Sequence, residues 1–355
     1  MIKFYNLNHL FQHSKSNNGF LPIRLLLAIL VIYFHSFPIC GKSDYLSQID
    51  FPVSIGEIAV NSFLVISGFL VSHSWFSSKS TKSYLIKRIF RIYPAFIVLS
   101  IIQAIIFAPL AANQSFLSYT FKQIGILIFE VCDLVGYGFP YGGLFDVFPN
   151  NPVPGLLNAS LWMIRYEFIC YLTLPLLLYF SSRSNILIYI WFSMNLFFYV
   201  TNIRLPWHWI LTAVMGDFAF LPGIFTYFYA GVLIYLFRSK LYFNLLSVIF
   251  YFGLLVTFCM FNKHLVHLLM VSIGSISIIF LCLILKCPSK LQRIDISFGV
   301  YIYGWPIQQF IICYIGSAIQ YNPYLLFVTA LPIAVIFGSL SWFLIESRFL
   351  RMIKK

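Results

Sequence analysis

The chain has 355 residues, of which 61% are hydrophobic and only 9% charged, with a mean hydropathy of +0.89. Soluble domains carry about 45–50% apolar and about 25% charged residues, so this composition excludes a soluble globular enzyme, a disordered chain and a coiled coil. The formal net charge of +13 reads, in so apolar a chain, as a topology signal in cytoplasmic loops rather than as a nucleic-acid footprint.

In chain order, residues 1–19 form a polar arm, followed by an apolar run from Phe20 that is expected to be a retained first helix and not a cleaved signal peptide. A helix that crosses a bilayer needs about 20 mostly apolar residues. Ten segments fit: 20–40, 58–76, 92–112, 161–181, 185–201, 219–237, 242–261, 266–286, 296–318 and 324–346. The stretch 121–139 is a weaker candidate, because it holds Glu130, Asp133, Gly136 and Gly138 and ends at Pro140. With the N-terminus inside and ten spans, only Lys42, Lys122, Arg165, Arg204 and Lys263 of the 23 Lys and Arg lie outside, as the positive-inside rule asks. An eleventh span would invert the rest. Residues 113–160 are therefore expected outside, as a long and partly re-entrant loop. The fold class is all-α: a polytopic transmembrane bundle of about ten spans, both termini cytoplasmic, with 20–346 as one membrane domain and 347–355 as a basic tail. The run Phe148–Gly155, with prolines at 149, 152 and 154, cannot be helix interior. The seven cysteines are scattered without C-x-x-C spacing, so neither a disulfide nor a metal site is expected.

Polar residues inside spans need a reason. Arg24 and His35 are both in the first span. Eleven steps of about 100° bring them back to one face, about 16 Å apart along the axis. Snorkelling of Arg24 and simple packing of His35 are the structural alternatives; a shared face favours a polar path. Ser67-Gly68-Phe69 in the second span suits close helix packing. Lys87, Arg88 and Arg91 stand just before the third span. The two arginines share a face at the cytoplasmic surface, suited to phosphates or to lipid head groups. Ser160-Leu161-Trp162 leads to Glu167, a carboxylate six or so residues into a span, with Arg165 nearby. The segment from Asp295 to Pro306 and the late Glu346 close the series.

Taken in order, these segments resemble acyltransferase family 3, the integral-membrane O-acyltransferases that include bacterial O-antigen acetylases. The resemblance rests on Arg24 and His35 with ten residues between them, Ser67-Gly68-Phe69, the Arg88/Arg91 pair, Ser160-Leu161-Trp162 with Glu167, Ser297-Phe298-Gly299-Val300-Tyr301, and Ile345-Glu346. It covers about residues 20–350. Pro22-Ile23-Arg24-Leu25 stands where the family commonly flanks the arginine with Asp and Gly, and Ser347 follows Glu346 where a proline is common. The resemblance implies an inner-membrane enzyme that moves an acyl group, acetyl by preference, from cytoplasmic acyl-CoA to a hydroxyl of an envelope polysaccharide or lipid-linked sugar. His35 is then the expected base, with Arg24 and Glu167 as further catalytic residues. Lys87, Arg88, Arg91 and Ser67 would hold the donor, and Trp162, Tyr141 and Glu346 the acceptor. Acyl-CoA is a co-substrate, and no tightly bound cofactor, metal or nucleic acid is implied. A transporter or flippase for a lipid-linked glycan is the alternative. It shares the spans and the intramembrane polar groups but needs no acyl-CoA. A non-catalytic membrane subunit or receptor is a third reading, against which the shared face of Arg24 and His35 argues.

Overall fold

The computed structural model describes residues 4–14, 17–112, 147–180, 185–203, 220–259, 262–288, 291–316, 319 and 321–353. Among them the chain is helical, apart from one antiparallel pair in which Tyr5 and Asn6 face Phe243 and Tyr242. The main helices are α1 (Leu7–His13), α2 (Phe20–Ile39), α3 (Ile55–Phe76), α4 (Thr81–Ala112, with a π turn at Gln103–Phe107), α5 (Trp162–Phe180), α6 (Ile186–Thr201), α7 (Leu221–Phe237), α8 (Leu245–Cys259), α9 (Lys263–Ile284), α10 (Ser297–Ile315) and α11 (Pro323–Met352). Each of the ten apolar segments falls on one of α2–α11. Among the described residues six helices are long and apolar enough to cross a membrane: α2, α3, α4, α5 with its leading 3-10 turn, α9 and α11. The stretch 121–139 and Tyr141 lie outside the described residues.

Helix ends differ from the apolar runs where charge misleads. The basic stretch before the third span is the opening of α4 itself, which begins at Thr81. Lys and Arg are good helix formers, and their long stems let charged heads reach an interface. At the other end of the chain, Ser347–Met352 is helical and continues α11. The sharp start of α3 has a local cause. Ser54 and Glu57 form a capping box, each side chain satisfying the other's backbone N–H.

Two compact units divide the chain. The first comprises Met1–Leu27, Leu46–Tyr84 and Ile169–Ile294. Its centre is the crossing of α3 and α7. A Cβ added to Gly68 would stand 2.0 Å from the Phe228 carbonyl oxygen, and one on Gly231 would stand 2.1 Å from that of Val65. Two glycines thus let the backbones touch, the use of small residues expected where helices meet in lipid. Pro175 in α5 leaves the Tyr171 carbonyl without its helical N–H. The buried Tyr84 hydroxyl donates to that oxygen at 2.9 Å.

The second unit comprises Ala28–Tyr45, Leu85–Phe168 and Asp295–Lys355. Here α10 and α11 cross at Gly299 and Gly338: an added Cβ would stand 2.7 Å from Gly338 Cα in the first case and 2.7 Å from the Val300 nitrogen in the second. Pro306 frees the Ile302 carbonyl, and Asn158 Nδ2 donates to it at 2.8 Å. Asn158 is fully buried, so the Asn-x-Ser match at 158–160 is a structural element and no glycan acceptor. Residues 147–158 are turns and bends without helix, with Phe148 at φ +50° and Gly155 at φ +75°. This proline-rich run, non-helical as its composition requires, is held by side chains of α10.

Candidate active site

Helix α10 is the spine on which most of the polar groups of the second unit converge. At its N-terminal end, Arg91 Nη2 meets Asp295 Oδ2 at 2.7 Å and Arg91 Nη1 meets Glu346 Oε2 at 3.4 Å. The guanidinium also lies 5.8 Å from the centre of the Phe298 ring. Both carboxylates are further held: Ser297 Oγ donates to Asp295 Oδ1 at 2.5 Å and Ser341 Oγ to Glu346 Oε1 at 2.9 Å. Glu346 closes the π turn Trp342–Glu346. The sequence reading gave Arg91 to phosphate and Glu346 to the acceptor. The structure joins the two, with Asp295 as a third member. A guanidinium has five N–H donors, and at least two of Arg91's are taken by carboxylates. Arg88 and Lys87 lie on the same helix, half-buried.

About one turn into α10, Tyr301 Oη donates to the Ser160 carbonyl at 2.5 Å, and Ser160 Oγ donates to Asn158 Oδ1 at 2.6 Å. Glu167, in the second turn of α5, lies close enough to the Tyr301 hydroxyl to interact electrostatically. Two of the segments singled out in the sequence thus meet. Trp162, at the start of α5, packs edge-on to Tyr166, with centroids 5.6 Å apart.

His35 stands one level higher. Its ring meets Trp305 edge-on, at 4.9 Å between centroids and 82° between planes. Trp305 Nε1 is fixed by the Leu156 carbonyl at 3.3 Å. Neither ring nitrogen of His35 has a hydrogen-bond partner among the described residues. The turn that carries His35 is tied to α10 by Gln308. Its Nε2 donates to the Ile32 carbonyl at 2.8 Å and to Ser36 Oγ at 2.7 Å. Gln309 holds the proline-rich run: Nε2 donates to the Val153 and Leu156 carbonyls, and Oε1 accepts from Asn151 Nδ2 at 2.9 Å. The sequence reading singled out the segment that holds Trp305 without giving that residue a role, and it missed Gln308, Gln309 and the structural part of Asn158. The available signal was the Trp-Pro step followed by two adjacent glutamines in an apolar run.

In the first unit, Ser67 Oγ is 3.1 Å from Tyr171 Oη, and Arg24 is on the opening turns of α2, half-buried. This unit also holds a tie that the sequence reading did not name: Tyr199 Oη lies 3.0 Å from His267 Nδ1 and 3.4 Å from Tyr227 Oη.

The class that this fold and these buried polar groups define is a helical integral-membrane protein with ionisable side chains set between its helices. A family model described as an acyltransferase domain matches residues 23–343, and the chain belongs to that family, acyltransferase family 3. It is 25% identical over 339 residues to an O-acetyl transferase of Shigella phage Sf6, covering 94% of this chain and 96% of that one. It is also 29% identical over 175 residues to Nodulation protein 10 of Rhizobium leguminosarum bv. viciae, covering 47% of this chain and 46% of that one. No solved structure matches.

Proposed function

We propose that this membrane acyltransferase moves an acetyl group from cytoplasmic acyl-CoA to a hydroxyl of an envelope polysaccharide or its lipid-linked precursor. The observation that carries the reading is His35. It is held against Trp305 inside a helical bundle, and among the described residues neither ring nitrogen has a hydrogen-bond partner. The family membership and the O-acetyl transferase relative support the reaction class.

In the proposed reaction a ring nitrogen of His35 takes the proton of the acceptor hydroxyl. The hydroxyl oxygen bonds to the thioester carbonyl carbon, and a tetrahedral oxyanion forms. It collapses as the carbon–sulfur bond breaks, and the imidazolium returns its proton to the departing thiolate. The products are the ester and the free thiol of CoA. Positioned proton transfer of this kind contributes typically about 10²–10⁴-fold. No carboxylate orients the imidazole among the described residues, so ring packing does that work. Arg88 and Lys87 are assigned to the CoA phosphates, with the Arg91 pairs setting the position of their turn. Arg24, about three turns before His35 on α2, lies towards the donor side in the ten-span topology with inner termini, which is part of this proposal. Ser67 is assigned to the donor, and Glu167, Trp162 and Tyr141 to the acceptor side.

The test is a thermal shift of the purified protein with acetyl-CoA, with dephospho-CoA as a control. Saturable stabilisation, weakened in Arg88→Ala, is expected. Absence of any shift with acetyl-CoA, succinyl-CoA and free CoA would remove the donor from the proposal and return the protein to glycan transport.

A further inference from the structure

A second polar group beside His35 has half of its hydrogen-bonding capacity committed and half unused. Gln308 is fully buried. Its carboxamide orientation is fixed, because Nε2 uses both hydrogens, on the Ile32 carbonyl and on Ser36 Oγ. The first of these is an oxygen that can only accept, so the amide cannot be turned over. Ser36 Oγ is itself committed as a donor to the Ile32 carbonyl at 3.0 Å. Among the described residues the oxygen Oε1 has no partner. A desolvated acceptor without a partner is destabilising, and such a group in a native protein calls for a reason.

Its position supplies one. Ile32, His35 and Ser36 lie at i, i+3 and i+4 on α2 and so share a face. Trp305 and Gln308 lie at i and i+3 on α10 and share another. The His35–Trp305 contact and the Gln308–Ile32 and Gln308–Ser36 bonds therefore belong to one seam between two helices, within about one helical turn, about 5.4 Å, of each other. Among the described residues two acceptors in that seam have no partner, the unprotonated ring nitrogen of neutral His35 and Gln308 Oε1; the other ring nitrogen of His35 is a donor. A thioester carbonyl carries no hydrogen and satisfies neither. A compound with two neighbouring hydroxyls satisfies both.

We propose that Gln308 is an acceptor-binding residue. Its Oε1 receives the hydrogen of a hydroxyl next to the one that His35 deprotonates, so the site selects a vicinal diol, as on a sugar ring. The inference rests on the acyltransferase reading above and adds to it the residue that chooses the hydroxyl. Gln308→Met tests it, because the substitution keeps the length and leaves no new orphan. Ser36 Oγ and the Ile32 carbonyl still satisfy each other.

The assay follows label from [14C]acetyl-CoA to the cells' own envelope polysaccharide, stripped of esters by mild base, in membranes holding wild-type or Gln308→Met protein. The polysaccharide concentration for half-maximal rate should rise about three- to tenfold, the size of one neutral hydrogen bond. Half-saturation by acetyl-CoA and the melting temperature should hold or, for the latter, rise. Unchanged polysaccharide dependence overturns the proposal. A weakened acetyl-CoA dependence does so too, since it assigns Oε1 to a pantetheine amide, and a lower melting temperature with proportionate loss of activity makes Gln308 structural. Should the methionine variant not fold, Ser36→Ala, which removes one of the two bonds aiming the carboxamide, is expected to move the same parameter in the same direction. An inactive wild-type protein contradicts the acyltransferase reading itself, whereas an active wild type with an indifferent variant contradicts only the role of Gln308.

Discussion

Arg91 shows how a single residue can be readable as important and still misread. Two arginines three apart at a membrane surface invite a phosphate, and nothing local says that one is already engaged. Its partners are 204 and 255 positions away in sequence, a distance over which patterns in one chain carry no information. Asp295 and Glu346 are nearly buried, and Arg91 itself is 15% exposed. Removing one member of such a group leaves the others charged and desolvated, a loss of about 3–5 kcal/mol. Arg91→Ala is therefore expected to lower the melting temperature of the detergent-solubilised protein sharply. Arg91→Lys should restore only part of it, since an ammonium does not span two carboxylates as a guanidinium fork does. An Arg91→Ala protein that melts like the wild type but loses acetyl-CoA binding would return Arg91 to the donor site. His35 was legible because a histidine in an apolar run is conspicuous. Gln308 and Asn158, neutral and common, were not, although each settles a hydrogen-bonding problem that the fold creates.

At the level of elements, the apolar runs locate the helices because length and hydrophobicity alone decide what lies in lipid. What fixes the crossings is subtler. The Ser67-Gly68-Phe69 segment serves helix packing through its glycine: Gly68 admits the backbone of α7, and Gly231 admits that of α3. Overpacking typically costs about 1–3 kcal/mol, and here the obstacle is a backbone carbonyl that no rotamer change can move. Gly68→Val should thus reduce the yield of folded protein and its melting temperature, with Gly231→Val behaving alike. Gly253, whose added Cβ would meet nothing within 4 Å, is the control: Gly253→Ala should be silent or slightly stabilising. The prolines were readable as interruptions. Their compensation was not: the carbonyls freed by Pro175 and Pro306 find Tyr84 and Asn158, side chains far along the chain. In lipid such a freed carbonyl has no water to turn to, which explains why a tyrosine hydroxyl and an asparagine amide are fully buried there.

For the whole molecule, the asymmetry of Lys and Arg predicts inner termini and ten crossings. Alkaline phosphatase and green fluorescent protein fused after Lys355 should give fluorescence without phosphatase activity, and a phosphatase inserted in the loop near Lys122 should be active. The opposite pair of results would invert the bundle and place both termini outside. Fold class and family could be read from the sequence because ordered short motifs and apolar runs survive without any knowledge of contacts. The arrangement around His35 could not, since Trp305, Gln308 and the proline-rich run come together only when α10 packs. The central claim is acyl transfer based on His35, and its most direct test is the movement of label from [14C]acetyl-CoA to envelope polysaccharide in membranes containing the wild-type protein or His35→Ala. The account predicts robust labelling by the wild type, a loss of about 10²-fold or more in the variant, and equal stabilisation of both proteins by acetyl-CoA. Equal labelling by the two proteins would contradict it.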